Sequence, residues 1–206
     1  EILGVEPWAK QEEVLSSLKS HRRVAVKSGS GLGKGFCAAA ALLWFLYAHQ
    51  DASIVLSTAP TLRQVRHILW RQVHRLYRPK AEFLGGKVLD TRWEIADPFQ
   101  GFLSLNVVIV VDEAKGVSDE VYEAIEAMMT SADPLLLLIG NPTIVTGAFR
   151  RAFYEERHLY HPITISALDS PNVREGKAVN CCTHMELSLW MNMYYSSLNT
   201  ETIDCS

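Results

Sequence analysis

The chain has 206 residues, 48% of them hydrophobic and 21% charged, which excludes a disordered or collagen-like protein. At roughly 100–200 residues per domain, this length suits one domain with or without a tail. Lysine and arginine total 20 against 23 acidic residues, a net charge of −3, so any nucleic-acid contact must come from a local basic face.

Taken in chain order, Pro7 to Leu18 carries Trp8, Val14, Leu15 and Leu18 at the spacing of a short amphipathic helix. Arg23 to Lys27 reads as a strand. The glycine-rich turn Ser28-Gly29-Ser30-Gly31-Leu32-Gly33-Lys34-Gly35 follows, then an Ala/Leu-rich helix from Phe36 to His49 that is buried on most faces. Its apolar run is shorter than the ~20 residues of a membrane span, so no membrane partner is expected. Ser53 to Thr58 reads as a buried strand of the parallel-sheet kind, and Ala59-Pro60-Thr61 turns the chain. Leu62 to Tyr77 predicts a two-faced helix. Val65, Ile68, Leu69, Val73 and Leu76 form its apolar face, and Arg63, His67, Arg71, His74 and Arg78 a basic one. That basic face suits either phosphate-backbone contact or a solvated surface, the commoner fate of charge runs.

Phe83 to Val88, with Gly85 and Gly86, predicts a hairpin turn, and Leu89 to Ala96 its return strand. Asn106 to Val111 is the strongest buried strand and ends in Asp112-Glu113. Asp119 to Met129 predicts a helix with Ser118 as N-cap. A strand over Pro134 to Ile139 ends at Gly140-Asn141-Pro142-Thr143. A helix over Ala148 to Glu156 and a strand over Ile163 to Ser166 follow. Apolar strands alternating with helices predict an α/β fold with a mostly parallel central sheet flanked by helices, spanning 1–173. Residues 174–206 show no clear period and read as a tail. Cys181, Cys182 and Cys205 lie there, and Cys181-Cys182-x-His184 lacks the spacing of common zinc ligand pairs. Together with Cys37 the uneven cysteines suit a reduced, cytoplasmic protein.

A strand, a glycine turn with lysine and then a helix form the context of a phosphate-binding loop. Backbone N–H groups in such a turn converge on an anion, and the helix dipole favours it. Lys34 would reach β- and γ-phosphate oxygens. The match to G-x-x-x-x-G-K-[ST] departs at both ends, with Ser28 for the first glycine and Gly35 for the hydroxyl residue that usually ligates Mg²⁺. The ion would then rely on Asp112 with waters, or on a hydroxyl such as Ser30. Asp112-Glu113, closing a β-branched strand, is a Walker B pattern. Asp112 would position Mg²⁺, and Glu113 would orient or deprotonate an attacking water.

Five stretches, in order and spacing, resemble the ATPase domain of tailed-bacteriophage terminase large subunits. They are Pro7-Trp8-Ala9-Lys10-Gln11, Lys27 to Lys34, Thr58-Ala59-Pro60-Thr61-Leu62-Arg63-Gln64-Val65, Val111-Asp112-Glu113-Ala114 and Gly140-Asn141-Pro142-Thr143. The resemblance implies a RecA-like P-loop core with an additional strand, binding ATP through 28–35 with Mg²⁺ at Asp112. It implies that Gln11 contacts adenine with Trp8 nearby, and that Asn141 and Thr143 form a motif coupling the γ-phosphate to movement. It further implies translocation of double-stranded DNA by a homo-oligomeric ring on a portal in the bacterial host cytoplasm, with a small terminase subunit as partner. The family's arginine finger has no counterpart between Trp93 and Asp112. Arg92, Arg150 and Arg151 are the substitutes, and the stretch Asp97 to Gly101 is short. The family's nuclease domain is not recognisable, so no nuclease activity is expected. Two rivals remain: a helicase-like translocase, which needs a second RecA-like domain, and a degenerate nucleotide-binding or scaffold module that lost turnover with the hydroxyl at Gly35.

Overall fold

The computed structural model describes residues 3–49, 53–84, 87–88, 93–94, 106–129 and 134–174. Helix α1 (Ala9–Ser17) leads to strand β1 (Arg23–Ser28) and helix α2 (Lys34–Ala48). Strand β2 (Ser53–Thr58) follows, then α3 (Leu62–Gln64), a π-helical turn (Val65–Leu69) and α4 (Trp70–Tyr77). A 3-10 turn (Arg78–Lys80) and α5 (Ala81–Leu84) precede the antiparallel pair β3 (Lys87–Val88) and β4 (Trp93–Glu94). Strand β5 (Asn106–Asp112), a 3-10 turn (Ala114–Gly116), α6 (Asp119–Met129) and β6 (Leu135–Gly140) come next. The chain closes with α7 (Ala148–Arg151), β7 (His161–Ile165) and α8 (Pro171–Arg174).

Five strands form one parallel sheet in the order β2-β5-β6-β1-β7. β6 is thus an additional strand between the one that enters the glycine turn and the one that ends in the acidic pair. Because all five run the same way, their C-terminal ends share one edge. The register aligns Asp112 with Ile139 and Ile139 with Val26, so the turns after β1, β5 and β6 open side by side.

The alternation of a strand sends its side chains to opposite faces. Leu137 and Ile139 join Val24, Val26 and Val110 beneath α1, α2 and α4, with Val14, Leu18, Leu42 and Leu69. Leu136 and Leu138 join Ile109 and Val111 on the other face, with Tyr122, Ile125, Phe149 and Phe153. Helices therefore cover both faces of the sheet, as the near-continuous apolar strands require.

Four expectations change. Ser53–Thr58 is an edge strand, half-buried with Leu56 exposed, because sheet order and not hydrophobicity decides which strand is central. The helix from Leu62 carries a π-turn in which the Trp70 N–H donates to Val65 C=O. The extra residue in that turn breaks the 3.6 period. Ile68 swings out to 51% exposure, and Trp70 takes its place inward, its Nε1 donating to Ser57 Oγ at 3.0 Å. Phe83 and Leu84 belong to α5, continuing helix-forming Ala81 and Glu82. Lys87 pairs with Glu94 and Val88 with Trp93, so Lys87 and Val88 are strand rather than turn, while Gly85 and Gly86 lie outside the described residues. The helix from Ala148 stops at Arg151, where the Tyr154 N–H turns back to Arg151 C=O and Arg150 and Arg151 pair with Glu155 and Glu156. Pro162 lies inside β7, at the sheet edge, where a missing N–H is tolerated. The tail 175–206, Arg92, and the stretch Asp97 to Gly101 lie outside the described residues.

Candidate nucleotide site

The turn after β1 needs glycine at two points. Gly31 and Gly33 have φ of 75° and 85°, in the left-handed region that side chains disfavour. A Cβ on Gly33 would also come within 2.1 Å of Gln11 Nε2. Gln11 is buried at the start of α1, where its Oε1 accepts the Trp8 N–H at 3.3 Å. Gln11, carried over from the resemblance, thus sits against the last glycine of the loop and holds the Trp8 backbone. Ser28 is buried beneath the loop, its hydroxyl donating to Gly29 C=O, and Leu32 anchors it into the core. Gly29 needs no special conformation, and Ser30 is exposed.

Lys34 opens α2 and folds back, its Nζ donating to Gly29 C=O at 2.9 Å. Burial pulls its pKa down, while Glu113 and Asp112 push it up, so the ammonium lies in the field of both acids. Asp112 is 3% exposed at the end of β5. Burial, with the like charge of Glu113 beside it, raises its pKa to about 6; the Glu113 N–H, donated to Oδ1 at 2.9 Å, and Lys34 oppose the rise. The turn ending at Lys34 and the acidic pair therefore face each other across β6.

Glu113 has φ of 47°, the one non-glycine residue in the left-handed region among those described. Its backbone opens the Ala114–Gly116 turn, pinned by Tyr122 Oη donating to Ala114 C=O at 2.7 Å. Asn141, buried at the end of β6, donates from Nδ2 to Ser30 Oγ at 3.4 Å. Thr143 is exposed two residues on and accepts a hydrogen bond from Lys115 Nζ at 2.5 Å. Gly35, in the first turn of α2, faces α4: a Cβ there would lie 3.5 Å from Gln72 Cγ, an ordinary contact.

Among the described residues no group of three His, Cys, Asp or Glu side chains could hold a metal. The donor set present, one buried carboxylate beside a phosphate loop, fits an Mg²⁺ whose remaining ligands are phosphate oxygens and waters. On α3 and α4, Arg63, His67, Arg71 and Arg78 are exposed as expected and His74 is half-buried. Arg66 in the π-turn and Arg75 in α4 are exposed as well. None of these arginines ion-pairs with a described residue, whereas Arg150 and Arg151, the proposed finger substitutes, are paired with Glu155 and Glu156.

No family model and no curated protein matches the sequence. Solved structures do. The ATPase domain of the Thermus phage P74-26 large terminase aligns with 98% of this chain and 91% of its own, at 16% identity and a TM-score of 0.61. An arginine-to-alanine mutant of that domain aligns at 18% identity and a TM-score of 0.65, covering 96% of this chain and 92% of that one. The fold is that of a large terminase ATPase domain. A large terminase from a thermophilic bacteriophage, solved in complex with ADP, matches over 82% of this chain and 48% of its own length, at 14% identity and a TM-score of 0.61. This chain thus spans about half of that terminase. In this chain the strand β6 lies between β1 and β5. Sequence reading singled out Lys34, Asp112, Glu113, Gln11 and Asn141, which the structure brings together around the glycine turn. It missed Lys115, which no motif marks beyond its place two residues after Glu113.

Proposed function

We propose that this chain binds ATP between the 28–35 loop and Asp112-Glu113, hydrolyses it with Mg²⁺, and uses the reaction to move double-stranded DNA into a phage procapsid. The juxtaposition of Lys34 with the acidic pair, Asp112 buried and Glu113 beside it, at one sheet edge carries the reading. The backbone N–H groups of Gly29 to Gly33 cradle the phosphates. Lys34 leaves the Gly29 carbonyl for β- and γ-phosphate oxygens. Glu113 aligns a water with the γ-phosphorus and accepts its proton as the new P–O bond forms and the bond to the β-phosphate oxygen breaks, releasing ADP and phosphate. Asp112 and Ser30 would hold Mg²⁺, which supplies charge neutralisation along the phosphates. Gln11 contacts adenine beside Trp8. Asn141 reads the γ-phosphate and, with Thr143, passes its loss to the following loop.

The partners that go with this reading are a homo-oligomeric ring of this chain on a portal, duplex DNA and a small terminase subunit, in the bacterial host cytoplasm. Residues 1–173 form the ATPase domain, 174–206 add no nuclease, and no cleavage of plasmid DNA with Mg²⁺ or Mn²⁺ is expected. The exposed arginines of α3 and α4 are the surface offered to the DNA backbone. Arg71→Glu then weakens duplex binding uniformly across sequences and lowers its salt dependence.

Steady-state phosphate release with and without duplex DNA is the test. Hydrolysis stimulated by duplex and abolished by Lys34→Ala supports the reading. Gly35 favours one rival, a module that binds nucleotide without turnover. ATP binding without phosphate release in the presence of Mg²⁺ and duplex would establish that rival instead.

A further inference from the structure

Lys115 and Thr143 are 28 residues apart and belong to the turns after β5 and β6. Their 2.5 Å hydrogen bond joins two runs of contacts. On one side lies the Glu113 turn. A left-handed non-glycine backbone persists only where its surroundings hold it. Here the Gly116 N–H closes on Glu113 C=O at 3.0 Å and Tyr122 holds Ala114. The turn also sits so close to its neighbours that a Cβ on Gly140 would meet the Ala114 nitrogen at 3.1 Å, and one on Gly116 would meet Pro60 Cγ at 2.7 Å. On the other side, the Thr143 N–H donates to Asn141 C=O at 2.9 Å, and the Asn141 amide donates to Ser30 of the phosphate loop. Through Lys115 a run of hydrogen bonds therefore joins the phosphate loop to the Glu113 turn. That ammonium ion-pairs with no described carboxylate, and it is near enough to Lys34 to lower that residue's pKa.

Resting on the hydrolytic reading, we propose that Lys115 is a positioning residue: by holding Thr143 it ties the turn that carries Glu113 to the loop that touches the phosphates. Glu113 is then aimed when the phosphate loop and Asn141 are in their nucleotide-bound arrangement. Lys115 sets turnover, not nucleotide affinity. A polar contact between exposed side chains often contributes nothing measurable, and unchanged turnover would mark this one as such.

The test uses the full chain with Lys115→Ala, Thr143→Val and the double variant, measuring affinity for a fluorescent ATP analogue alongside kcat and KM. Each single change should lower kcat about tenfold and leave affinity and KM within twofold. The double variant should lose no more than either single, as residues acting through one contact do. Lys115→Arg should restore most of the rate. Unchanged kcat, additive losses, or a fall in affinity matching the fall in kcat would each overturn the assignment; the last would make Lys115 a phosphate ligand. If the wild-type chain binds ATP without turnover, the hydrolytic reading alone fails. Amide exchange then decides the role of Lys115. Analogue-induced protection of 113–116 together with 141–147, lost in Lys115→Ala, supports the link, and protection unaffected by the substitution overturns it. A chain that binds no nucleotide overturns both.

Discussion

The two edges of one sheet are built to opposite rules. At the C-terminal edge two backbone glycines and Glu113 sit at positive φ, a carboxylate is buried beside another, and Lys34 is held partly out of water against a carbonyl. At the N-terminal edge, Arg23 at the start of β1 makes a two-pronged ion pair with Glu126 of α6, at 2.6 and 2.7 Å. The same guanidinium lies over the Tyr160 ring and donates to its hydroxyl. One edge keeps its charges short of partners, and the other satisfies them. Strain and unpaired buried charge are tolerated where a ligand can complete them, so the contrast points to the C-terminal edge as the working one.

The sharpest way to break this contrast is to remove the carboxylate proposed to accept the proton. Glu113→Gln should lower kcat by about 10²–10⁴-fold while ATP binding persists, because a general base contributes on that order. Single-turnover phosphate release read beside analogue binding checks it. A variant that keeps full activity would take catalysis away from Glu113.

Asp112→Asn should separate function from stability. In the fold its carboxyl titrates at about 6, against 3.8 for an ordinary aspartate. Between those values the native state holds a proton that the unfolded chain has released. Stability therefore falls as pH rises from about 4 to 6, and the deficit is complete above 6. The deficit is at most about 3 kcal/mol. Asparagine keeps the acceptor for the Glu113 N–H and carries no charge. The variant should lose hydrolysis, yet unfold in urea with about 2 kcal/mol more stability at pH 7 and a flatter profile between pH 4 and 6. Lower stability at pH 7 would show that Asp112 is better compensated than its burial indicates.

Much of this contrast was legible in the residues themselves. Asn106 to Val111 could only be a buried strand, and Gly31 and Gly33 could only be a turn, because each carries a constraint that its neighbours cannot mask. The placement of Lys34 opposite Asp112 followed from two strands of like direction. What escaped was of another kind. A π-turn is one inserted residue, and Ile68 and Trp70 are both apolar, so periodicity could not say which faces inward. The left-handed backbone of Glu113 has no signal in a residue type that usually avoids it. The Lys115–Thr143 contact depends on strand order, which hydrophobicity does not encode, and the same ignorance made the edge strand β2 read as buried.

The opposite edge gives a smaller effect of the other sign. Arg23→Ala removes a bidentate partner from Glu126 and a ring contact from Tyr160, and should cost about 1 kcal/mol in thermal or urea unfolding. ATP turnover should stay within twofold of wild type. A large loss of activity without loss of stability would mean that the N-terminal edge also takes part in the reaction.

The smallest effect expected is that of Gly35→Ser, and it carries the most information per unit of change. A Cβ at this position lies in ordinary contact with Gln72, and φ here is not in the left-handed range, so neither clash nor strain opposes serine. Replacing a helical glycine removes backbone freedom from the unfolded chain, which adds about 0.5 kcal/mol of stability. If Asp112, Ser30 and water already complete the metal's shell, a new hydroxyl changes kcat by no more than a few-fold. If the shell is broken at this point, serine restores turnover to a chain that only binds. Parallel measurements of kcat and urea midpoint separate the two, since the stability gain is common to both and the catalytic gain belongs to one.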